Sequence, residues 1–476
     1  MSPVDTAIVA EARALFERQR AHRWTMAATT ARQRQQRLRG LKQAILVRRA
    51  DLAAALHADF RKHPAESELT EIHVTLAELD FAIDHLPRWM APRRRPTPLL
   101  LASSRSEIRC EPRGVALVLS PWNYPVYLTL APLVGAMAAG NCAIVRPSEK
   151  VPHTSAVLRA IVADAGPPEE LALVEGDVPV AEALLALPFD HVFFSGSARV
   201  GQRVMTAAAA HLASVTLELG GKSPAIIDTS ADVERAAERV MWGKCLNAGQ
   251  TCVAPDYVLV PRALEPSFVD GCSRALRHMY GDGDDAVRRS GDYCRMIDDA
   301  AFARVARLVG DTIAEGAVIA VGGLMDESDR FIAPTVLTGV RDDAPIMGEE
   351  IFGPILPVVA YDTLDEALGV VRRHGKPLAL YVFARDGAAT ERILRETTAG
   401  GTCVNDVAVH IATPWLPFGG VGASGIGSYH GEAGFRAFSH ERSVLRQGPL
   451  ALARLLRPPY ESRMNRFARR VVRQFE

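Results

Sequence analysis

Apolar residues return every three or four positions in the first part of the chain. Leu38, Leu41, Ile45 and Leu52 fall near one face, and Ile72, Leu76, Leu79, Ile83 and Leu86 repeat with charged residues between them. That period predicts amphipathic helices to about Trp89, a packing layer and not a chemical site. The run from Pro92 to Pro98, with Arg93, Arg94 and Arg95, combines breakers with charge and is expected to be an exposed connection.

Beyond it the apolar runs become short and continuous. Gly114-Val-Ala-Leu-Val-Leu-Ser120 predicts a buried strand, Val126 to Ala139 a helix closed by Gly140, and Cys142-Ala-Ile-Val145 the next strand. The unit repeats: helix Ser155 to Ala165, strand Leu171 to Val174, helix Val180 to Leu187, strand His191 to Phe194, helix Ala198 to His211. Strands alternating with helices at this spacing give an α/β fold with a doubly wound parallel sheet, whose ligands sit beyond the carboxyl ends of the strands. Val215 to Leu219 and Pro224 to Ile227 continue the pattern, followed by a helix capped by Ser230 and running to about Leu246. A second α/β layer is expected from Tyr257 to about Asn405, with strands Tyr257 to Val260 and Leu356 to Ala360 and helices Asp299 to Gly310 and Leu364 to His374.

At 476 residues the chain exceeds the size at which a single core keeps growing, so two large domains are expected. The 55 basic and 55 acidic side chains balance, which argues against nucleic-acid or membrane binding by bulk charge and suits a small-molecule enzyme. The seven cysteines are scattered, with no Cys-x-x-Cys pair and no histidines at zinc-ligand spacing, so free thiols are expected and no metal is signalled. With no leader-like segment and no apolar run long enough to span a bilayer, the expectation is a soluble, cytoplasmic protein.

Candidate chemistry centres on Cys252 in Asn247-Ala-Gly-Gln-Thr-Cys252, a loop of small and polar residues between a helix and a strand. A thiol there is reachable and can be activated as thiolate, although a lone cysteine is more often a small buried hydrophobe. Glu218 stands at an otherwise apolar strand end, in Leu217-Glu-Leu-Gly-Gly-Lys222. Desolvation there would raise its pKa toward that of a general base, the alternative being an ion pair with Lys222. Asn123, in Pro121-Trp-Asn-Tyr-Pro125, follows a buried strand and could offer its amide to an oxyanion, or satisfy its own turn. Phe194-Ser-Gly196-Ser-Ala-Arg-Val-Gly201 is a strand-to-helix turn whose glycines admit a pyrophosphate, although it is not Gly-x-Gly-x-x-Gly.

Together with Glu350-Ile-Phe352-Gly-Pro354 and Pro417-Phe-Gly-Gly420, these segments resemble the aldehyde dehydrogenase superfamily, in the family's order and over most of the chain. Tyr124, Ala254-Pro-Asp-Tyr257, Val404-Asn-Asp406 and Gly427-Ser-Tyr-His-Gly431 resemble its class 3 branch, which includes fatty, aromatic and coniferyl aldehyde dehydrogenases. The resemblance implies a Rossmann-like cofactor domain (1–102 and 114–219, with a return segment 410–435) and a catalytic domain (220–409). It also implies an oligomerisation arm (103–113 and 436–450) ahead of a basic tail (451–476), and a homodimer. It implies NAD(P)-dependent oxidation of a medium, long or aromatic aldehyde through a Cys252 thioester. Asn123 and the Cys252 N–H would stabilise the oxyanion, and Glu218 would activate the hydrolytic water. The cofactor residues implied are Trp122, Arg146, Ser148, Glu149, Gly196, Ser197, Gly201, Leu219, Gly220, Glu350 and Phe352.

One departure is Arg146, where the family usually has lysine at the adenosine ribose. Arginine is planar and permanently charged, and could suit a 2′-phosphate that Glu149 would repel, so NAD is favoured and NADP use stays open. The arginine-rich tail after Gly448 reads as a basic amphipathic segment, docked on the body or in weak contact with an anionic membrane surface. Docking is favoured because Pro458 and Pro459 interrupt it. The competing functions are a CoA-acylating relative, against which the deacylating Glu218 argues, and a catalytically silent binding paralogue.

Overall fold

The computed structural model describes residues 3–98, 101 and 103–448, together with positions 458, 462, 463, 466 and 470. The expected basic tail otherwise lies outside the described residues.

Two sheets organise the chain. The first has six strands in the order Gly425–Ile426, Ser214–Leu219, His191–Gly196, Val115–Leu119, Cys142–Arg146 and Leu171–Leu173, all parallel except the short first one. The strand order reverses between Val115–Leu119 and His191–Gly196, which places the ligand crevice at their carboxyl ends. Residues alternate between its faces as a pleat requires. Ala116, Val118, Ala143 and Val145 enter the core shared with the helices Ala31–Val47, Arg49–Phe60 and His73–Met90. Val115, Leu117, Leu119, Cys142 and Ile144 face the opposite core, which the first helix, Pro3–Ala27, closes with Phe16 against Phe189.

The helix Tyr127–Ala139 is buried at every position, because it lies between the sheet and the first helical layer. It ends at Gly140, whose φ of 87° is the left-handed cap that its sequence predicts. The buried Arg34 guanidinium donates to the carbonyls of Ala138 and Ala139, so the end of this helix is satisfied without water.

The second sheet has seven strands in the order Val318–Val321, Thr335–Thr338, Ile355–Tyr361, Tyr257–Pro261, Pro224–Ile227, Ala379–Phe383 and Gly401–Val404, with only Val318–Val321 antiparallel. A third, antiparallel sheet joins Arg93–Arg95, Arg105–Pro112 and Ser439–Arg446.

Two sequence expectations need correction. The arginine run is exposed, yet Arg93–Arg95 is an edge strand paired with Ser106 to Ile108, since an edge strand needs backbone partners on one side only and tolerates charge. The helix after the sixth strand-like segment is Val233–Cys245, capped by Asp232, whose carboxylate accepts from the Arg235 N–H. Ser230 instead donates to Asp228 and accepts from the Arg385 and Asp386 N–H groups, tying two loops together.

Among the described residues no helix is long and apolar enough to cross a membrane, and no group of three or more His, Cys, Asp or Glu side chains could hold a metal ion. All seven cysteines are free.

Candidate active site

The carboxyl ends of the first sheet open into a cleft of about 780 Å³. Asn123, Glu218 and Cys252 line it together. So do Trp122, Gly196, Ser197, Leu219, Gly220, Glu350 and Phe352, which leaves Arg146, Ser148, Glu149 and Gly201 off its wall among the residues singled out by sequence.

The cysteine loop is held in an unusual backbone conformation. Helix Val233–Cys245 runs into a tight turn, Leu246–Gly249, in which Asn247, Ala248 and Gly249 have φ of 52°, 51° and 73°. Left-handed backbone costs a non-glycine residue roughly 1–2 kcal/mol, so the surroundings must impose it. The Asn247 amide donates to the carbonyls of Asn123 and Gln250 at 2.8 and 3.2 Å, and Gln250 donates to Asn247 and Arg295 while accepting from the Ile297 N–H. Gly249 has no alternative, because a Cβ there would lie 2.2 Å from the Gly353 carbonyl.

Asn123 donates through Nδ2 to the Gln250 carbonyl at 3.1 Å, which fixes the amide plane and leaves its second N–H available toward the cleft. Tyr124 bonds the Thr251 hydroxyl at 2.8 Å. The segment Asn123–Tyr124 and the loop that carries Cys252 are therefore joined through the residues that lead up to the thiol.

Glu218 lies at the end of Ser214–Leu219, pinned at its edge by Gly425. It is buried, accepts a short hydrogen bond from the Ser195 hydroxyl, and is within hydrogen-bonding reach of the Cys252 thiol. Burial pushes its carboxyl up to about 7. Lys222 is not its partner: it pairs with Asp256 at 2.5 Å and donates to the Ile346 carbonyl, so the ion-pair alternative for Glu218 falls.

Glu350 fits into the space left by Gly220, where a Cβ would lie 1.9 Å from the carboxylate, and accepts from the Gly221 N–H. Burial and the nearby Asp256 push it up to about 8. Phe352, at φ 47°, turns its ring edge-on to Trp122 at 5.4 Å.

The thiol departs from expectation. Burial and the two facing carboxylates, Glu218 and Glu350, raise Cys252 well above the ordinary thiol range. The cations that might have lowered it, Lys222 and Lys244, are both drawn to Asp256. With no cation facing the sulfur, its surroundings favour the protonated thiol.

The remaining predicted positions act at a distance from the cleft wall. Arg146 donates to Glu149 at 2.7 Å and to the Gly176 carbonyl at 2.6 Å, with its Nε unpartnered among the described residues. Ser148 accepts from the Lys150 N–H. Gly201 lets the helix Ala198–Ala209 press on Leu219, whose side chain a Cβ would meet at 2.7 Å.

The sequence profile of the aldehyde dehydrogenase family matches residues 3–444. The chain belongs to the aldehyde dehydrogenase family. It is 41% identical over 430 residues to the 4,4'-diaponeurosporen-aldehyde dehydrogenase of Staphylococcus aureus, covering 90% of this chain and 92% of that one. It is 42% identical over 457 residues to a probable coniferyl aldehyde dehydrogenase of Caulobacter vibrioides, covering 94% and 93%. The solved substrate-bound state of Staphylococcus aureus AldH superposes with a TM-score of 0.91 at 39% identity, covering 96% of this chain and 98% of that one. As an aldehyde dehydrogenase the chain is an NAD(P)-dependent enzyme that oxidises aldehydes to acids.

The cleft of this aldehyde dehydrogenase fits a dinucleotide. Helix Ala198–Ala209 opens into it with no side-chain cap, so its first N–H groups are free for an anion. The clearance at Gly220 sets a carboxylate where a ribose hydroxyl could donate to it.

Sequence reading missed Ser195, Asn247, Gln250 and the Lys222–Asp256–Lys244 cluster. The first three sit inside quoted motifs and were legible as candidates. The buried lysines carried no signal, since lysine is ordinarily a surface residue.

Because the thiol faces a carboxylate, alkylation of Cys252 by iodoacetamide should still be accelerating above pH 9. Glu218→Gln, which removes a negative charge, should move that profile to lower pH. A mass-spectrometric rate series across pH measures both, and an unchanged profile in the variant would show that Glu218 does not set the thiol.

Proposed function

We propose that Cys252 is the nucleophile of a hydrolytic aldehyde dehydrogenase acting on medium or long aliphatic or aromatic aldehydes. The observation that carries this reading is the meeting of a thiol, a carboxyl at about 7 and a fixed amide in one cleft.

Glu218, within reach of the sulfur, takes its proton as Cys252 attacks the aldehyde carbon. The free N–H of the Asn123 amide and the Cys252 backbone N–H stabilise the alkoxide of the thiohemiacetal. When bound, the nicotinamide supplies the acceptor for the departing hydride. Glu350 would hold the nicotinamide ribose, and Phe352, packed against Trp122, would lie beside it. Glu218 releases that proton to solvent and then, held by Ser195, takes a proton from the water that cleaves the thioester and passes it to the departing Cys252 thiolate, which releases the acid and restores the thiol. A carboxyl near 7 suits both transfers, because it is ionised in part at neutral pH and still basic enough to accept a proton.

The substrate class is supported by relatives named for 4,4'-diaponeurosporen-aldehyde and coniferyl aldehyde. The presence of Glu218 favours water over CoA as acceptor of the acyl group. NAD is favoured over NADP, because Arg146 is engaged by Glu149, whose carboxylate would meet a 2′-phosphate. Gly196 and Ser197 would border the pyrophosphate, with Leu219 and Gly220 on the facing wall and Ser148 and Gly201 behind it. We place the protein in the cytoplasm, where its free thiols stay reduced, as a homodimer assembled through the arm that ends in Ser439–Arg446. A weak membrane-surface contact of the tail is left to its arginines.

Cys252→Ala should abolish aldehyde-dependent NADH formation while leaving cofactor binding nearly unchanged; turnover in this variant would remove the covalent mechanism. Glu218→Gln should release at most a stoichiometric burst of NADH and then stall, whereas a wild-type steady rate would assign deacylation to another base. Both are read by absorbance on a panel of short, long-chain and cinnamyl-type aldehydes with and without CoA, and a rate that requires CoA would overturn hydrolysis. Arg146→Lys should change the ratio of NAD to NADP efficiency by several-fold, and an equal ratio would mean that this side chain does not meet the ribose.

A further inference from the structure

Beneath the cysteine loop the first helical layer contributes more than packing. The helix Pro64–Ser67 runs into a π-helical turn, Glu68–Ile72, which precedes the helix His73–Met90. Such turns rotate the residues that follow relative to those before and occur often at functional sites. Here two carboxylates flanking or within the turn leave in different directions. Glu66 accepts from the Asn247 N–H at 2.9 Å, and Glu71 accepts from the Val126 N–H at 2.8 Å.

Each acceptor fixes one half of the site. Asn247 begins the left-handed run that aims Cys252, and its amide also bonds the Asn123 and Gln250 carbonyls. Val126 follows directly on the Asn123 segment. Between the carboxylates, Lys62 is fully buried, pairs with Glu71 at 2.7 Å and lies 3.9 Å over the Tyr124 ring. Tyr124 in turn bonds Thr251, next to the nucleophile. The Cys294 thiol approaches the second oxygen of Glu66 at 3.8 Å, so no water is needed on that side.

We propose that Glu66 is a positioning residue: with Glu71 as its counterpart on the Asn123 segment, it holds the cysteine loop at a fixed separation from the oxyanion-donating amide. Glu66 does not touch the substrate cleft and acts only through Asn247. The inference rests on the reading of Cys252 as nucleophile and Asn123 as oxyanion donor. It adds that their geometry is set from outside the cleft, by residues of the helical layer.

The role requires an acceptor at this point, which glutamine retains and alanine lacks. In the full-length enzyme, Glu66→Ala should lower the pre-steady-state rate of NADH formation at least 10-fold, with the cofactor KM changed less than 2-fold. Glu66→Gln should recover most of that loss. The rate of Cys252 alkylation by iodoacetamide, read by peptide mass spectrometry, should fall or rise together with the burst rate. Thermal melting with bound NAD identifies a variant that has merely unfolded, and in that case Glu66→Gln against Glu66→Met, which fills the volume without an acceptor, gives the same comparison. Equal rates for the alanine or methionine variant and the wild type would overturn the proposal. So would equal losses in the glutamine and non-accepting variants, since the hydrogen bond would then not be the cause. Activity that persists in Cys252→Ala would instead overturn the underlying reading, and the two failures are thereby told apart.

Discussion

The arrangement depends on burying a thiol between two carboxyls without a cation beside it. Glu218 and Glu350 both approach Cys252 from within the cleft, while Lys222 and Lys244 are spent on Asp256. Low dielectric and like charge therefore push the sulfur and both carboxyls above their ordinary ranges. A resting site of this kind is chemically quiet. Under the proposed mechanism it becomes reactive through a proton exchange between Glu218 and Cys252, which needs short distances more than it needs a permanently ionised sulfur.

Short distances are provided by missing side chains as much as by present ones. Gly220 clears space for Glu350, Gly249 lets the cysteine loop pass the Gly353 carbonyl, and Gly201 brings a helix down onto Leu219. Around these clearances hydrogen bonds tie the segments together, Ser195 on Glu218, Asn123 on the Gln250 carbonyl and Asn247 on both loops, while one Glu218 oxygen and the Asn247 side-chain oxygen have no hydrogen-bond partner among the described residues. The strained backbone before Cys252 is held by the hydrogen bonds that Asn247 and Gln250 make to Glu66, Asn123 and Ile297.

Much of this architecture is written in the chain's periodicity. Strands such as Val115–Leu119 are buried on both faces and read as continuous apolar runs, so the doubly wound sheet and its ligand edge could be located directly. The elements that escape are those whose environment differs from the rule. Arg93–Arg95 is an edge strand of three charges and carries no core pattern, whereas Val318–Val321 is an apolar run that nonetheless lies exposed at a sheet edge. Asp232 and Ser230 are equally good caps by composition, and only the path of the chain decides between them. In the site, the identity of the groups was legible but their charge was not. The state of Cys252 depends on which carboxylates face it and on Lys222 being claimed by Asp256, relations between segments far apart in sequence. Glu66 carries no signal in the sequence because its partner, Asn247, lies in another part of the fold.

The edge of the sheet that carries Glu218 is closed by Gly425–Ile426, and the arm is completed only when Ser439–Arg446 pairs with Arg105–Pro112. Glu218, Cys252 and the strand that borders Glu218 thus emerge from the ribosome in that order, the last of them well after the other two. A nascent chain already holding both reactive groups would lack the border strand that orders one of them, and closure by such distant pairing is intrinsically slow. Until Gly425–Ile426 arrives, the strand that carries Glu218 presents an unpaired edge, the kind of surface most prone to pairing with another chain.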